Sequence, residues 1–187
     1  MVKSQAKPRS KVASKPAAQT AASARKPTAG ARRYWLFKSE PEVYGWSQLL
    51  ADGSTFWNGV RNYQARNLLR DDIQVGDGVL FYHSNADPMA IVGVAKVVRA
   101  GYPDVTALDP KSDYFDPDST PEDPTWFMVD IAPVATLSSV LSRDQLKDVP
   151  ALKDMMLLQR GSRLSVQPVT AAEWQAIVAL AKVKVSW

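Results

Sequence analysis

Cysteine is absent from all 187 residues of this sequence. Its absence excludes disulfides, thiolate zinc sites, cysteine-ligated iron–sulfur clusters and a cysteine nucleophile. Histidine is almost absent as well, since His83 stands alone and a metal site built on a pair of histidines is therefore excluded. We accordingly expect no metal and no cofactor.

Long apolar runs are missing too. No stretch approaches the roughly 18 consecutive apolar residues that cross a bilayer, and the start of the chain lacks the apolar core of a secretory signal. These absences predict a soluble protein that binds no membrane and is not secreted, located in the cytoplasm, the nucleoid or the nucleus. What the chain does contain is six Trp, six Tyr and five Phe, which suit the core of one domain. We expect that domain to be a monomer.

Acidic residues are missing from the first 33 positions, which hold nine Lys or Arg. Subtracting these nine from the 23 basic residues leaves 14 against 19 acidic ones, so the remainder carries a net charge of −5. The basic character of the chain thus belongs to its first segment, and a negative remainder argues against nucleic-acid binding by the folded part.

Residues 1–32 are mostly Ala, Lys, Pro, Ser and Thr. This composition cannot bury enough apolar surface to offset the entropy of ordering, so we predict a disordered tail before a domain at 33–187. Its charges suit loose contact with nucleic-acid phosphates, with Lys26, Arg32 and Arg33 as candidate contacts. A solubilising tail and an organelle transit peptide are the alternatives.

Strand and helix signals alternate beyond residue 33. Asn62 is a plausible helix N-cap, while Ser142 with Gln145 and Thr170 with Glu173 have the spacing of capping boxes. The pattern predicts a compact α+β domain around a curved sheet or small barrel. The predicted strands are 34–39, 55–58, 78–83, 90–99, 126–133 and 164–166, and the predicted helices are 46–50, 62–70, one from Ser142 and 170–181.

Three motifs each join the end of a predicted strand to a polar turn. They read YWLFKSEP from Tyr34, WNGVRNYQARN from Trp57 and FYHSN from Phe81. Each places Trp, Asn, Ser or His where an apolar strand gives way to a turn, and such positions build pockets because the sheet fixes the backbone beneath them.

Trp57 and Asn58 have the residue types that recognise a planar base. A base stacks on an aromatic face, and an amide beside that face can read its edge. Gly59 then allows the backbone to approach closely. The alternative is a core tryptophan followed by an asparagine that caps a turn.

His83 and Ser84 raise the question of catalysis. A Ser–His–Asp hydrolase needs its serine and histidine to hydrogen-bond, but neighbours on a strand point to opposite faces. A lone histidine at a strand end is more often a structural hydrogen-bonding group. We therefore predict no catalytic residue and no enzymatic activity.

Arg61, Arg66 and Arg70 follow the second motif and could form a basic lip over a pocket, since arginine contacts phosphates and stacks on bases. A solvated helix face paired with Asp71 and Asp72 is the alternative. The acidic, proline-rich loop at residues 103–124 lacks the glycine and terminal glutamate of a calcium loop.

The three motifs, in this order, resemble the EVE domain family, whose relatives include the thymocyte nuclear protein family. The resemblance covers roughly residues 34–181. It implies a PUA-like β-pseudobarrel of about five to six strands with flanking short helices, and a structural lid or belt in the acidic loop. The chain is also similar to the YTH domain, a cousin that holds methylated adenosine in an aromatic cage.

The resemblance implies a nucleic-acid reader that holds a modified base, methylated or oxidised, of DNA or RNA. Two alternatives stay open: a PUA-like enzyme that acts on a nucleotide with His83 or an Asp as base, and a protein-interaction module. Trp35 and Trp126 are candidates for the cage or the lid. The predicted ligand-binding residues are Lys38, Ser39, Trp57, Asn58, Val60, Arg61, Asn62, Tyr82, His83, Ser84 and Asn85.

Overall fold

The computed structural model describes residues 31–187, and Arg32–Trp187 form one folded unit. The predicted disordered tail and the predicted contact at Lys26 lie outside the described residues. Within these residues, no helix is both long and apolar enough to pass through a bilayer.

Six strands and four α-helices make up the folded unit. The strands are β1 (Tyr34–Ser39), β2 (Thr55–Phe56), β3 (Gly78–His83), β4 (Ala90–Pro103), β5 (Phe127–Ser142) and β6 (Val166–Val169). The helices are α1 (Trp46–Asp52), α2 (Tyr63–Asn67), α3 (Arg143–Lys147) and α4 (Ala171–Leu180). A π-helical turn at Leu68–Asp72 extends α2, and 3₁₀ turns lie at Val105–Ala107, Pro150–Leu152 and Met156–Leu158.

The strands form one mixed sheet in the order β2-β5-β4-β3-β1-β6. β1 and β3 are parallel, and every other neighbouring pair is antiparallel. The sheet is not closed, because β2 and β6 remain its edges. The predicted α+β class, with six strands and short flanking helices of the PUA-like type, is confirmed.

Side chains of β1 alternate between two cores, as the two-residue period of a strand requires. Trp35 and Phe37 enter one core together with Phe81. Leu36 enters the other, on the opposite face of the sheet, where Trp174 of α4 packs. Both faces of the central strands are therefore buried, and functional side chains are left to the strand ends and loops.

Local capping signals are confirmed. Asn62 caps α2, and the capping boxes of Ser142 with Gln145 and Thr170 with Glu173 are both formed. These side chains satisfy amide groups that the first helical turn leaves unpaired.

The predicted strand at 164–166 is wrong in position, because β6 is Val166–Val169. Pro168 hid it from sequence reasoning, yet proline is tolerated here because β6 is an edge strand. β5 is also longer than the predicted 126–133, since a mixed run of apolar and hydroxyl residues after Pro133 continues it to Ser142.

Candidate functional site

The first and third motifs meet at one edge of the sheet. β1 and β3 run in parallel, so their carboxyl ends lie side by side, with Lys38 beside Tyr82 and Ser39 beside His83. The amide of Ser84 donates to the carbonyl of Ser39 at 2.9 Å. Strand pairing thus brings together residues that lie more than 40 positions apart in the sequence.

A cavity of about 660 Å³ opens beside this edge, within the size range of small-ligand pockets. Six of the predicted ligand-binding residues line it: Lys38, Ser39, Trp57, Asn58, Val60 and Arg61. The rest of the wall is Glu40, Val43, Tyr44, Asp52, Ser54, Thr55, Phe56, Gly59, Tyr114 and Ser165.

Trp57 belongs both to the core and to the cavity wall. Its ring packs 5.1 Å from Phe37 and edge-on to Phe81 at 5.5 Å, and only 8% of the residue is exposed. Among the described residues its indole N–H has no hydrogen-bond partner, whereas the buried Trp35 donates to Asp77 at 2.8 Å. The Trp57 ring is therefore held rigidly by the core while its donor stays available to a ligand.

Asn58 lines the cavity with a half-buried amide that makes no side-chain hydrogen bond within residues 31–187. Asn62 differs, because its Oδ1 accepts from the amides of Gln64 at 3.0 Å and Ala65 at 3.1 Å as the cap of α2. The third asparagine of the second motif, Asn67, accepts from Nε of Arg66 at 2.8 Å. Asn58 is therefore the one of the three that lines the cavity with free donor and acceptor capacity.

One wall of the cavity is built by Tyr114, which comes from the acidic loop. Its ring covers Gly59, where a Cβ would lie 2.7 Å from the tyrosine Cζ. The backbone of Gly59 has φ of +71°, a conformation that favours glycine. Gly59 thus allows the aromatic ring to close over the backbone next to Asn58.

Arg61 and Asp104 anchor that wall. Arg61 donates through Nη1 to Oδ2 of Asp104 at 2.8 Å and through Nε to the carbonyl of Tyr114 at 3.0 Å. Asp104 is fully buried and accepts from the amide of Gly59 at 3.0 Å. Burial raises the pKa of Asp104, but hydrogen bonds from Arg61, Thr106 and Gly59 outweigh it and hold the pKa below its ordinary value.

Sequence reasoning missed Tyr114 and Asp104. The only signal for Tyr114 was an aromatic pair, Tyr114 with Phe115, inside an otherwise polar loop. Tyr44 was missed as well, and its hydroxyl donates to Asp52 at 2.8 Å on the same wall. These residues reach the cavity wall because distant segments of the chain fold together, and the spacing of residues in the sequence does not reveal that.

His83 lines neither this cavity nor the smaller groove described below. Its Nε2 accepts from the amide of Trp46 at 3.1 Å, which supplies a cap to α1 that Gly45 lacks. Burial lowers the pKa of His83, in keeping with a neutral, accepting ring. Asn85 lies outside both as well and donates to Glu40 at 3.1 Å.

Trp35 and Trp126 do not line the cavity. Trp126 is buried and donates to Asp116 at 2.5 Å, with Arg61 at 5.2 Å over its ring. It supports the arginine that anchors the Tyr114 wall, so its connection to the cavity is indirect.

The other predicted phosphate contacts have partners within the protein. Arg66 lies over Tyr63 and donates to the carbonyl of Thr125. Arg70 pairs with Asp71 at 2.7 Å and Arg33 pairs with Asp72 at 2.8 Å. Arg32 donates to the carbonyl of Gly76 at 2.7 Å.

Comparison with known proteins gives the same family from sequence and structure. The EVE domain model matches residues 33–180. Thymocyte nuclear protein 1 of Gallus gallus is 39% identical over 81% of this chain and 69% of its own length. A solved protein from Pseudomonas syringae is 48% identical, with a TM-score of 0.76 over 79% of this chain and 99% of that one. The human THYN1 protein, solved in complex with DNA containing 5-methylcytosine, is 36% identical with a TM-score of 0.74 over 81% and 99%. This chain belongs to the EVE domain family.

Proposed function

We propose that this protein is a reader of modified DNA that holds one flipped-out base, 5-methylcytosine foremost, in the cavity beside Trp57. The observation that carries the proposal is a rigid aromatic wall next to the unpaired amide of Asn58, in a cavity large enough for a base. The human relative solved with 5-methylcytosine DNA supplies the choice of base.

The cavity offers chemistry for each edge of a cytosine. Lys38 and Ser39 can donate to ring nitrogen and carbonyl acceptors, and Glu40 and Asp52 can accept from the exocyclic amino group. Asn58 can do both. The Trp57 and Tyr114 rings supply apolar surface for stacking and for the methyl group.

The enzyme alternative has little support. His83 is committed to the amide of Trp46 and lies outside the cavity, and the human relative is solved in complex with 5-methylcytosine DNA. An interaction module with a fully packed core also fits poorly, because the space beside Trp57 is open.

Fluorescence anisotropy tests the proposal with the full chain and labelled single-stranded DNA that carries one central 5-methylcytosine or cytosine. A buried methyl carbon contributes about 0.8 kcal/mol, so we expect roughly fourfold preference for the methylated strand. Asn58→Ala should weaken binding by about 5- to 150-fold, the value of a base-edge contact.

Asn58→Ala is a cleaner variant than Trp57→Ala, because Trp57 packs on Phe37 and Phe81 and its loss would leave a core cavity. The matched control is Gln64→Ala, which removes an exposed amide outside the cavity. Equal affinity for both strands, together with unchanged binding by Asn58→Ala, would overturn the proposal.

A further inference from the structure

A second, smaller groove of about 330 Å³ adjoins the base cavity. Lys38 lines both spaces, since it stands at the end of β1 between them. The other groove residues come from the end of β3, the connection between β3 and β4, the start of α3, the 3₁₀ turn at Met156–Leu158 and the loop before β6. Those that the argument uses are Ser84, Arg143, Gln159, Arg160, Ser162 and Arg163.

Four cations line this groove and no carboxylate does. The cations are Lys38, Arg143, Arg160 and Arg163, and within residues 31–187 none of them forms an ion pair. Arg61, by contrast, is neutralised by the buried Asp104. The folded part carries net negative charge, yet this groove brings together four cations without an ion-pair partner among the described residues.

Lys38 and Arg143 are close enough to repel each other. Both are half-buried, and burial together with the charge of Arg143 lowers the pKa of Lys38. An anion between them would relieve this repulsion and favour the charged lysine.

The loop that carries Arg160 and Arg163 is held in place by glutamine side chains. Gln167, 1% exposed on β6, donates through Nε2 to Oγ of Ser162 and to the carbonyl of Leu164, both at 2.9 Å. Gln159 donates to the carbonyl of Lys153 at 3.0 Å, and Lys38 donates to the carbonyl of Ser162 at 3.3 Å. The cations thus stand on a fixed loop around a defined space.

We propose that this groove binds a backbone phosphate of the same DNA strand whose base enters the cavity at Trp57. The inference rests on the proposed function and extends it, because it gives the strand a path from the base cavity, past Lys38, to the loop at residues 159–163. The partners are guanidinium groups, which fit phosphate oxygens in pairs, and the hydroxyls of Ser84 and Ser162, both in the groove wall.

If the cavity binds the base and the groove binds the phosphate, substitutions in the two spaces should change different properties of DNA binding. Phosphate contacts position a strand and carry no sequence information, whereas base contacts discriminate. Each phosphate neutralised on a single strand contributes about 0.7 to the slope of log affinity against log salt. Groove variants should therefore lose salt-dependent affinity and keep the preference for the methylated base. Cavity variants should lose that preference and keep the salt slope.

The test measures the affinity of the full chain for the two labelled strands between low and high salt. The groove variant is Arg160→Gln/Arg163→Gln, which alters two exposed side chains that make no hydrogen bond within the folded unit. The control is Lys182→Gln/Lys184→Gln, which removes the same charge from an exposed segment after α4.

We expect the groove variant to bind both strands at least tenfold more weakly at low salt, with a salt slope reduced by about 0.7 and an unchanged ratio of methylated to unmethylated affinity. The control should keep the slope. A groove variant with the slope of the control would overturn the inference.

A second measurement separates this inference from the proposed function. The full chain is titrated with 2′-deoxycytidine, with 5-methyl-2′-deoxycytidine and with the 3′- and 5′-monophosphates of the methylated nucleoside, following tryptophan fluorescence. Tighter binding of one monophosphate, lost in the groove variant, supports the phosphate site and gives the strand direction. Equal binding of nucleoside and both monophosphates contradicts the phosphate site, whereas equal binding of methylated and unmethylated nucleosides contradicts the reader function alone.

Discussion

The two spaces that share Lys38 differ in what surrounds them. The larger one, at Trp57, combines aromatic rings with charges of both signs, including Glu40 and Arg61. The smaller one is lined by cations with no carboxylate in its wall. A base is a neutral plane with donors and acceptors on its edge, and a phosphate is an anion, so the two linings match the two parts of a nucleotide.

The comparison also shows why net charge misleads here. Several arginines of the folded unit are tied to carboxylates, as Arg61 is to Asp104 and Arg33 is to Asp72. Such ion pairs hold loops in place. Because their two charges largely cancel, they attract a charged ligand only weakly. What matters for an anion is the local set around Lys38, where four cations line the wall and no carboxylate does.

The largest expected effect comes from breaking the anchor of the base cavity. Arg61→Ala leaves the buried carboxylate of Asp104 without its cation, so the free energy of unfolding should fall by about 3 to 5 kcal/mol. Urea denaturation measures it, with Arg70→Ala as control, because the pair of Arg70 with Asp71 is exposed and should contribute nothing measurable. Equal stability of the two variants would contradict the anchoring role.

The same anchor has a pH signature. The pKa of Asp104 is lowered from 3.8 in the folded state, so its stabilisation is complete above that pH and is lost as the pH falls through the lowered value. Without Arg61 the pKa of Asp104 should rise. Acid unfolding of Arg61→Ala should therefore begin at a higher pH than that of the unaltered protein.

A glycine in each region sharpens the comparison. Gly59 and Gly161 both have positive φ, +71° and +78°, but only at Gly59 would a Cβ meet a ring, that of Tyr114. Gly161→Ala should cost about 1 to 2 kcal/mol of stability, the penalty of the left-handed conformation. Gly59→Ala should cost more and displace Tyr114.

Binding separates the two glycine variants more clearly than stability does. Displacement of the Tyr114 ring should remove the preference for methylated over unmethylated DNA, and Gly161→Ala should preserve it. Anisotropy with the two labelled strands measures both. If Gly59→Ala keeps the preference, the tyrosine is not a wall of the base site.

Local patterns made half of the candidate site predictable. Strand ends followed by polar residues predicted a pocket, and the family resemblance implied that Lys38, Ser39, Trp57 and Asn58 line it. These four residues line one cavity. Their adjacency follows from short elements with strong signals. The structure shows where these four side chains lie, and their role as base contacts stays a prediction.

Long-range packing made the other half unpredictable. Asp104 reaches Arg61 across 43 residues, and a loop rich in aspartate has the same composition whether it is solvated or folded over a cavity. The basic groove depends on β6 pairing antiparallel with β1, which Pro168 concealed. Without that pairing nothing in the sequence brings Arg160 and Arg163 to Lys38.

His83 provides a test in which pH should change the stability of the fold and leave phosphate binding unchanged. Its pKa is lowered from 6.5 by burial, so its stabilisation is complete above that pH and is lost as the pH falls toward the lowered value. The melting temperature should be lower at pH 5 than at pH 7.5, and His83→Gln should reduce that dependence. His83 does not line the groove, so the salt slope of DNA binding should stay constant. Identical pH dependence in the variant and the unaltered protein would contradict the role of His83.

The smallest expected effect is a gain. Asp144 does not line the basic groove, but it is close enough to Arg143 for their charges to interact. Asp144→Asn removes this opposing charge and also frees Lys147, its partner at 2.6 Å. We expect about twofold tighter DNA binding at low salt, fading at high salt because exposed charges are screened.

The matched control for that gain is Glu122→Gln, which removes an exposed carboxylate from the acidic loop, outside the groove. Both variants lose one negative charge, so a general effect of net charge would tighten DNA binding equally in the two. A gain confined to Asp144→Asn, with unchanged preference for the methylated strand, would place the attraction at the groove. Equal gains would instead mean that the strand responds to the charge of the whole protein, and the local contrast between the two spaces would no longer explain its path.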